Sequence, residues 1–257
     1  MAEAILSRLI SQQIYGPEQI LVSDPQLNRR EFLKQTYQAR VSEDNQDAAN
    51  ASEAVILAVK PQILDRVIAG LAGSQDKPLI ISVLAGTPIS RLEFGFPDHP
   101  IIRAMPNTPA TVGAGMTALA PNKLVEPYHL SLAKSIFTAV GQVVEVPESL
   151  MDGVTGLSGS GPAYVALLVE ALADGGVASG LPRAIAGKLA LQTVLGTAQY
   201  LQETGLHPAE LKDRVTSPGG TTIAGVTVLE KMGFRAALIE AVRAAFRRSQ
   251  ELGKHKN

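Results

Sequence analysis

The stretch richest in chemistry is "VTSPGGTTIAG", residues 215–225. Pro218-Gly219-Gly220 makes a tight turn poor in Cβ atoms, and a helix can begin at Thr221 or Thr222. Free N–H groups at a helix start form a nest for anions. The hydroxyls of Ser217, Thr221 and Thr222 add hydrogen-bonding capacity. The guest such a nest expects is small and anionic, a carboxylate for example. The plainer reading is a capped turn between helices, where Ser, Thr and Gly are common.

A second stretch, "AVKPQ" at 58–62, puts Lys60 at the end of an apolar run and directly before a helix. A phosphate or ribose could approach the free first-turn N–H groups there. An ordinary turn with a solvated Lys is the simpler reading. "MPNTPATVGAG", residues 105–115, holds Asn107 and Thr108 between two prolines that stiffen the backbone. Their amide and hydroxyl can read a carboxamide or simply close a turn. "GLSGSGPAY", residues 156–164, crowds glycines and serines into a helical pattern, so a ligand or another helix must approach its backbone. None of His99, His129, His207 and His255 falls in metal-ligand spacing, and no Ser/His/Asp arrangement is legible. The chain has no cysteine, which excludes disulfides, thiolate catalysis and Cys-bound metal.

Two halves of different rhythm must position these residues. Over 1–147 the runs at 19–23, 54–59, 78–85, 101–105, 116–120 and 142–146 predict strands, and 26–38 and 61–73 predict helices. "AVILAV" at 54–59 reads as a strand buried on both faces. Such alternation implies right-handed βαβ units and an α/β fold with a doubly wound, mainly parallel sheet. Over 148–257 the strands stop. Segments 149–176, 182–203, 208–215 and 234–252 predict helices, rich in Ala and poor in aromatics. Small residues let helices approach closely, within one chain or between subunits. A nucleotide domain over 1–147 and a substrate or dimerisation domain over 148–257 is the expected organisation. Ligands of open α/β sheets lie beyond the carboxyl ends of the strands, which points to the turns after 59, 83 and 105.

Bulk composition sets the remaining bounds. Lys and Arg total 23 against 24 Asp and Glu, a balance unlike that of a nucleic-acid binder. The basic cluster Arg243, Arg247, Arg248, Lys254 and Lys256 complements a helix C-terminus. No run approaches the ~18 apolar residues of a membrane span. The opening "MAEAILSRLI" is no secretory signal, because Glu3 sits where positive charge belongs and Arg8 interrupts the apolar stretch. A soluble, cytoplasmic protein with no nucleic-acid or membrane partner is expected.

"VTGLSGSGPAYVALLVEALADGGVASGLPR" and "HPAELKDRVTSPGGTTIAGVTVLEKMGFR" together resemble the C-terminal half of the pyrroline-5-carboxylate reductases. "LAVKPQ", "SVLAG" and "IRAMPNTPATVGAG" resemble its N-terminal half in order and spacing. The resemblance implies a Rossmann-like domain followed by a helical one. It implies hydride transfer from NADPH, with NADH possible, to a cyclic imine, forming proline; the cofactor is thus NADP, with NAD possible. It places the imine's carboxylate in the nest of Ser217, Gly219, Gly220, Thr221 and Thr222, with the Thr222 hydroxyl facing the ring nitrogen. Cofactor contacts carry over to Asn45, to Ala58, Val59, Lys60 and Pro61, to Ala85, and to Asn107 and Thr108. The helical half is implied to form a homodimer, often assembled further into rings.

The chain departs from the family at its start. Members begin with a strand and a G-x-G-x-x-G turn, whereas "MAEAILSRLI" matches only the helix that follows. Without that central strand, its two neighbours are expected to lack a pairing partner, and cofactor binding is expected to suffer. The alternative function is then a truncated, non-catalytic dimerising homologue. A start codon upstream of Met1 is the favoured explanation, since everything downstream stays in step with the family. In-frame DNA just upstream is expected to encode an apolar strand and a Gly-rich turn; a stop codon within the first few triplets contradicts this. At the end of "QILVS", Ser23 and Asp24 are the expected ribose contacts. An acid there repels a 2′-phosphate, while Arg29 and Arg30 can counter it, so both dinucleotides are expected to serve.

Overall fold

The computed structural model describes residues 1–50, 52–71 and 77–254. Two compact units divide it: Met1–Ser160 with Ala244–Asn257, and Gly161–Arg243. In chain order the first unit begins with α1 (Ala2–Ser11), β1 (Leu21–Ser23), α2 (Leu27–Tyr37), β2 (Arg40–Ser42) and α3 (Asn45–Asn50). There follow β3 (Ala54–Leu57), α4 (Leu64–Leu71), β4 (Leu79–Ser82), α5 (Ile89–Gly95) and β5 (Ile101–Met105). It continues with β6 (Gly115–Pro121), α6 (Pro127–Thr138), β7 (Gly141–Glu145) and α7 (Met151–Val154). Then come α8 (Gly161–Ala178), α9 (Arg183–Thr204), α10 (Pro208–Arg214), α11 (Thr221–Lys231) and α12 (Phe234–Lys254). The last of these runs from the second unit back into the first.

The strands form two separate sheets. β1 and β2 pair in parallel, with Val22 opposite Val41. The larger sheet has the order β3-β4-β5-β6-β7, with every pair parallel except the antiparallel β5–β6. β4 and the first four residues of β5 are buried, as continuous Ile/Leu runs require of strands covered on both faces. β3 departs from the sequence expectation: Ala54, Val55 and Ile56 are only half-buried. The reason is its place at the sheet's edge, where β4 is its single partner among the described residues.

α1 carries two apolar stripes. Ile5 and Leu9, one turn apart, pack with Ile81, Ile102, Leu119 and Phe137 over the larger sheet. Leu6 and Ile10 pack with Val22, Leu33 and Val41 of the β1–β2 layer. Burying Ile5, Leu6 and Leu9 contributes about 1.5–3 kcal/mol apiece, and the half-buried Ile10 less. Arg8 Nε adds a hydrogen bond to the Ala139 carbonyl at 3.3 Å.

The ends of several elements differ from their sequence signals. The 19–23 strand shortens to β1 because Pro17–Gln19 turns as a 3₁₀ helix. The helix expected at 61–73 opens with a 3₁₀ turn at Pro61–Ile63; its residues 72 and 73 lie outside the described residues. So do His255, Lys256 and the Lys254 side chain. Segment 149–176 is interrupted as expected, but the interruption is a π-helical turn at Thr155–Gly159 rather than a break.

Glu3 ties α1 to α2. Its carboxylate accepts from Arg29 at 2.6 Å and from the Tyr37 hydroxyl at 2.7 Å. Those two donors hold the Glu3 pKa below the ordinary carboxylate value, and the same bond raises that of Tyr37. A depressed carboxylate contributes stability above its unfolded pKa and loses it as pH falls through the folded one. Glu3→Gln is therefore expected to melt below wild type at pH 7. The gap is a few degrees at most, since such half-exposed pairs contribute about 0.2–1 kcal/mol. It should close once the pH falls well below the ordinary Glu range. A constant offset across a pH series of thermal melts contradicts the assignment.

Candidate functional site

In the first unit the sequence-predicted cofactor residues line the carboxyl ends of the strands. Ser23 ends β1, and its hydroxyl donates to Asn45 Oδ1 at 2.8 Å, joining two of them directly. The Asp24 carboxylate accepts from the Gln26 N–H at 2.8 Å, an Asx turn that starts α2. Arg30 donates to the Asp24 carbonyl at 2.9 Å and pairs with Glu43 at 3.0 Å. Arg29 is turned away, held by Glu3 and lying over the Phe32 ring at 5.1 Å. Of the two arginines, Arg30 is the one bonded beside Asp24.

Ala58, Val59, Lys60 and Pro61 follow β3. Lys60 is exposed and stands at the N-cap of the 3₁₀ turn, so its side chain is available to solvent or ligand. Ala85 is exposed in the turn after β4. Glu148 fixes the far end of that turn: its carboxylate accepts from the Ile89 N–H at 2.6 Å, at the start of α5. The same oxygen lies 3.4 Å from Arg103, a buried residue of β5. Neither Arg103 nor Glu148 stood out in the sequence, because an Arg within an apolar strand gives no sign of its partner.

Asn107 and Thr108 follow β5. The Asn107 side chain has a protein partner at both ends, accepting from the Met116 N–H at 2.9 Å and donating to the Ser158 carbonyl at 3.1 Å. Thr108 is exposed and begins a 3₁₀ turn through Val112. A hollow of about 810 Å³ opens beside β2, lined by Lys34, Arg40, Ser42, Asp47 and Asn50 among others. None of the sequence-predicted site residues lines it.

The nest belongs to the second unit. Ser217-Pro218-Gly219-Gly220 is a turn closed by Gly220 N–H to Ser217 C=O at 3.1 Å. Gly219 has φ +66°, which its place after Pro218 in a type II turn requires. A Cβ on Gly220 would stand 2.3 Å from Ser217 Oγ, so the hydroxyl occupies the space that a side chain would need. α11 starts at Thr221 with no side chain capping it, which leaves first-turn N–H groups open. Thr221 is exposed and Thr222 half-buried. This is an uncapped helix start on a rigid turn, flanked by hydroxyls, and its partial positive charge suits a small anion. Among the described residues no cluster of His, Asp or Glu could hold a metal ion.

Residues 1–86 match the family model "NADP oxidoreductase coenzyme F420-dependent", and residues 148–252 match "Pyrroline-5-carboxylate reductase dimerisation". The pyrroline-5-carboxylate reductase of Synechocystis sp. is 72% identical over 254 residues, covering 99% of this chain and 95% of that protein. A solved pyrroline-5-carboxylate reductase from Coxiella burnetii superposes with a TM-score of 0.93 at 38% identity, covering 98% of this chain and 94% of that one. That of Plasmodium falciparum, solved with NADP bound, gives 0.86 at 32% identity with the same coverage. The two-part match to the models, the shared fold and identity along nearly the whole length agree: the chain belongs to the pyrroline-5-carboxylate reductase family.

Proposed function

We propose that the chain reduces 1-pyrroline-5-carboxylate to L-proline, the last step of proline biosynthesis, with NADP as the preferred dinucleotide and NAD as a poorer one. The observation that carries this reading is the uncapped start of α11 on the Ser217–Gly220 turn. The nest holds the substrate carboxylate on the open N–H groups of α11, and Ser217, Gly219, Gly220, Thr221 and Thr222 form it. The Thr222 hydroxyl faces the ring nitrogen and orients the ring.

The nicotinamide, when bound, supplies a hydride to C5 of the protonated imine. The C=N π pair moves onto nitrogen, so the amine forms without a further proton. A protonated imine is already electrophilic, which removes the need for a strong acid, a metal or a nucleophile. The chain's tasks are to hold the ring in one pose and to exclude water. Hydroxyls and backbone suffice for that, in keeping with a nest that contains neither His nor Cys.

The dinucleotide fits the strand ends of the first unit. Ser23, Asp24 and Asn45 would hold the adenosine ribose. Ala58, Val59, Lys60 and Pro61 would take the central part, and Ala85 and the Asn107–Thr108 loop the nicotinamide end. Arg30, fixed beside Asp24, would offset the acid's repulsion of a 2′-phosphate.

The working form is a homodimer or a larger ring built through the helical domain at 148–257, in the cytoplasm. In the second unit only Ala173, Ala186 and Ala190 are buried among the described residues. Leu167 on α8 is 66% exposed and Met232, after α11, is 78% exposed. By length and composition alone the helix Glu148–Ala178 could cross a membrane, at a mean hydropathy of 1.2. We read it instead as apolar surface that a second copy covers.

Turnover of 1-pyrroline-5-carboxylate with reduced dinucleotide, followed by absorbance, tests the proposal. Thr222→Ala is expected to lower kcat/KM for the imine about tenfold or more, the scale of losing ~1–3 kcal/mol of hydrogen bonding; unchanged kinetics remove Thr222 from the mechanism. Arg30→Ala is expected to raise KM for NADPH about tenfold, the worth of one charge-assisted contact, and to leave KM for NADH within about twofold. An equal rise for both dinucleotides shows that Arg30 does not read the 2′-phosphate.

A further inference from the structure

The π-helical turn at Thr155–Gly159 has a cause in the sequence. In an α-helix the Ser158 carbonyl would accept from the N–H four residues on. That residue is Pro162, which has none. The helix widens just before it, with Ser160 N–H reaching back five residues to the Thr155 carbonyl at 2.9 Å. The Asn107 amide then donates to the Ser158 carbonyl at 3.1 Å. Its other end accepts from Met116 N–H at 2.9 Å, at the start of β6. The neighbouring Met105 side chain closes the same seam: a Cβ on Gly159 would stand 2.9 Å from Met105 Cε.

We infer that Asn107 is a positioning residue. It supplies the donor that Pro162 withholds, and so locks the π turn, the loop after β5 and the first residue pairs of β6 into one body. The inference rests on the proposed reading in one respect: that this loop carries the nicotinamide end. Acting through the loop, Asn107 sets where Thr108 and its backbone present themselves. Each end of its side chain bonds protein, so it acts on the dinucleotide through the loop rather than by reading the carboxamide itself.

Pro162 makes the idea testable, since Pro162→Ala returns an N–H that can take over the Ser158 carbonyl. Asn107→Asp keeps the acceptor for Met116 and loses the donor. It is expected to lower kcat with NADPH about tenfold, the scale of one hydrogen bond, while KM for the dinucleotide stays within about twofold. Pro162→Ala alone should change kcat less than about twofold. The double variant should recover to within about threefold of wild type, a coupling that independent sites do not show. In the dinucleotide-free protein, hydrogen exchange of the 155–160 segment should quicken about tenfold in N107D and slow again in the double variant. A rise in KM without rescue would mean that the amide contacts the dinucleotide directly, and it would overturn the inference. Unchanged exchange in N107D would overturn it too. If wild type turns over no imine with either dinucleotide, the proposed function fails and exchange alone decides the clamp. Should N107D not accumulate as folded protein, recovery of folded N107D/P162A supports the clamp, and equal failure of both counts against it.

Discussion

The first unit depends on α1 burying two faces at once. Among the described residues no hydrogen-bonded ladder joins β1–β2 to the five-stranded sheet, and side-chain packing links the two. α1 does this with residues one turn apart: Ile5 and Leu9 on one stripe, Leu6 and Ile10 on the other. Ile20 packs in both clusters and reinforces the seam. The Glu3 network and the Arg8 bond to Ala139 then fix the rotation of the helix, which apolar contact alone leaves loose. The strand ends bearing Ser23 and Lys60 belong to different sheets. Among the described residues, α1 packs against both sheets and links them.

The chemistry asked of the site is modest, and the architecture matches that. A hydride acceptor that is already a cation needs orientation more than it needs acid–base help. In the proposed substrate nest the backbone is held in one shape: Gly219 at positive φ after Pro218, and Gly220 with the Ser217 hydroxyl in the space of its missing side chain. At the strand ends proposed for the dinucleotide, side chains are spent on backbone. Asn107 holds Met116 and Ser158, and Glu148 holds the start of α5.

How much of this the sequence revealed depended on burial. β4 and β5 were legible because their Ile and Leu runs are covered on both faces. The nest was legible because Pro-Gly-Gly before Thr-Thr is a local conformational statement. β2 and α3 were missed: "RVS" and "NQDAAN" are short and polar, and pairing with β1 and packing beside it create them. β3 was misjudged on one point, since an apolar run records the propensity of a strand but not how many neighbours it has. The π turn was hidden for another reason. Gly159, Gly161 and Pro162 announce an interruption, but the donor that completes it lies 51 residues earlier.

The helical unit argues its own incompleteness. α8 and α9 pack through Ala173, Ala186 and Ala190, which bury little area apiece. The larger side chains of the same helices, among them Leu167, Leu189 and Leu195, stay exposed. A chain that is 46% hydrophobic could have enclosed them in a monomeric core, but here the small residues face inward and the large ones outward. That arrangement leaves large apolar side chains exposed, and the matched dimerisation family implies that a second copy covers them.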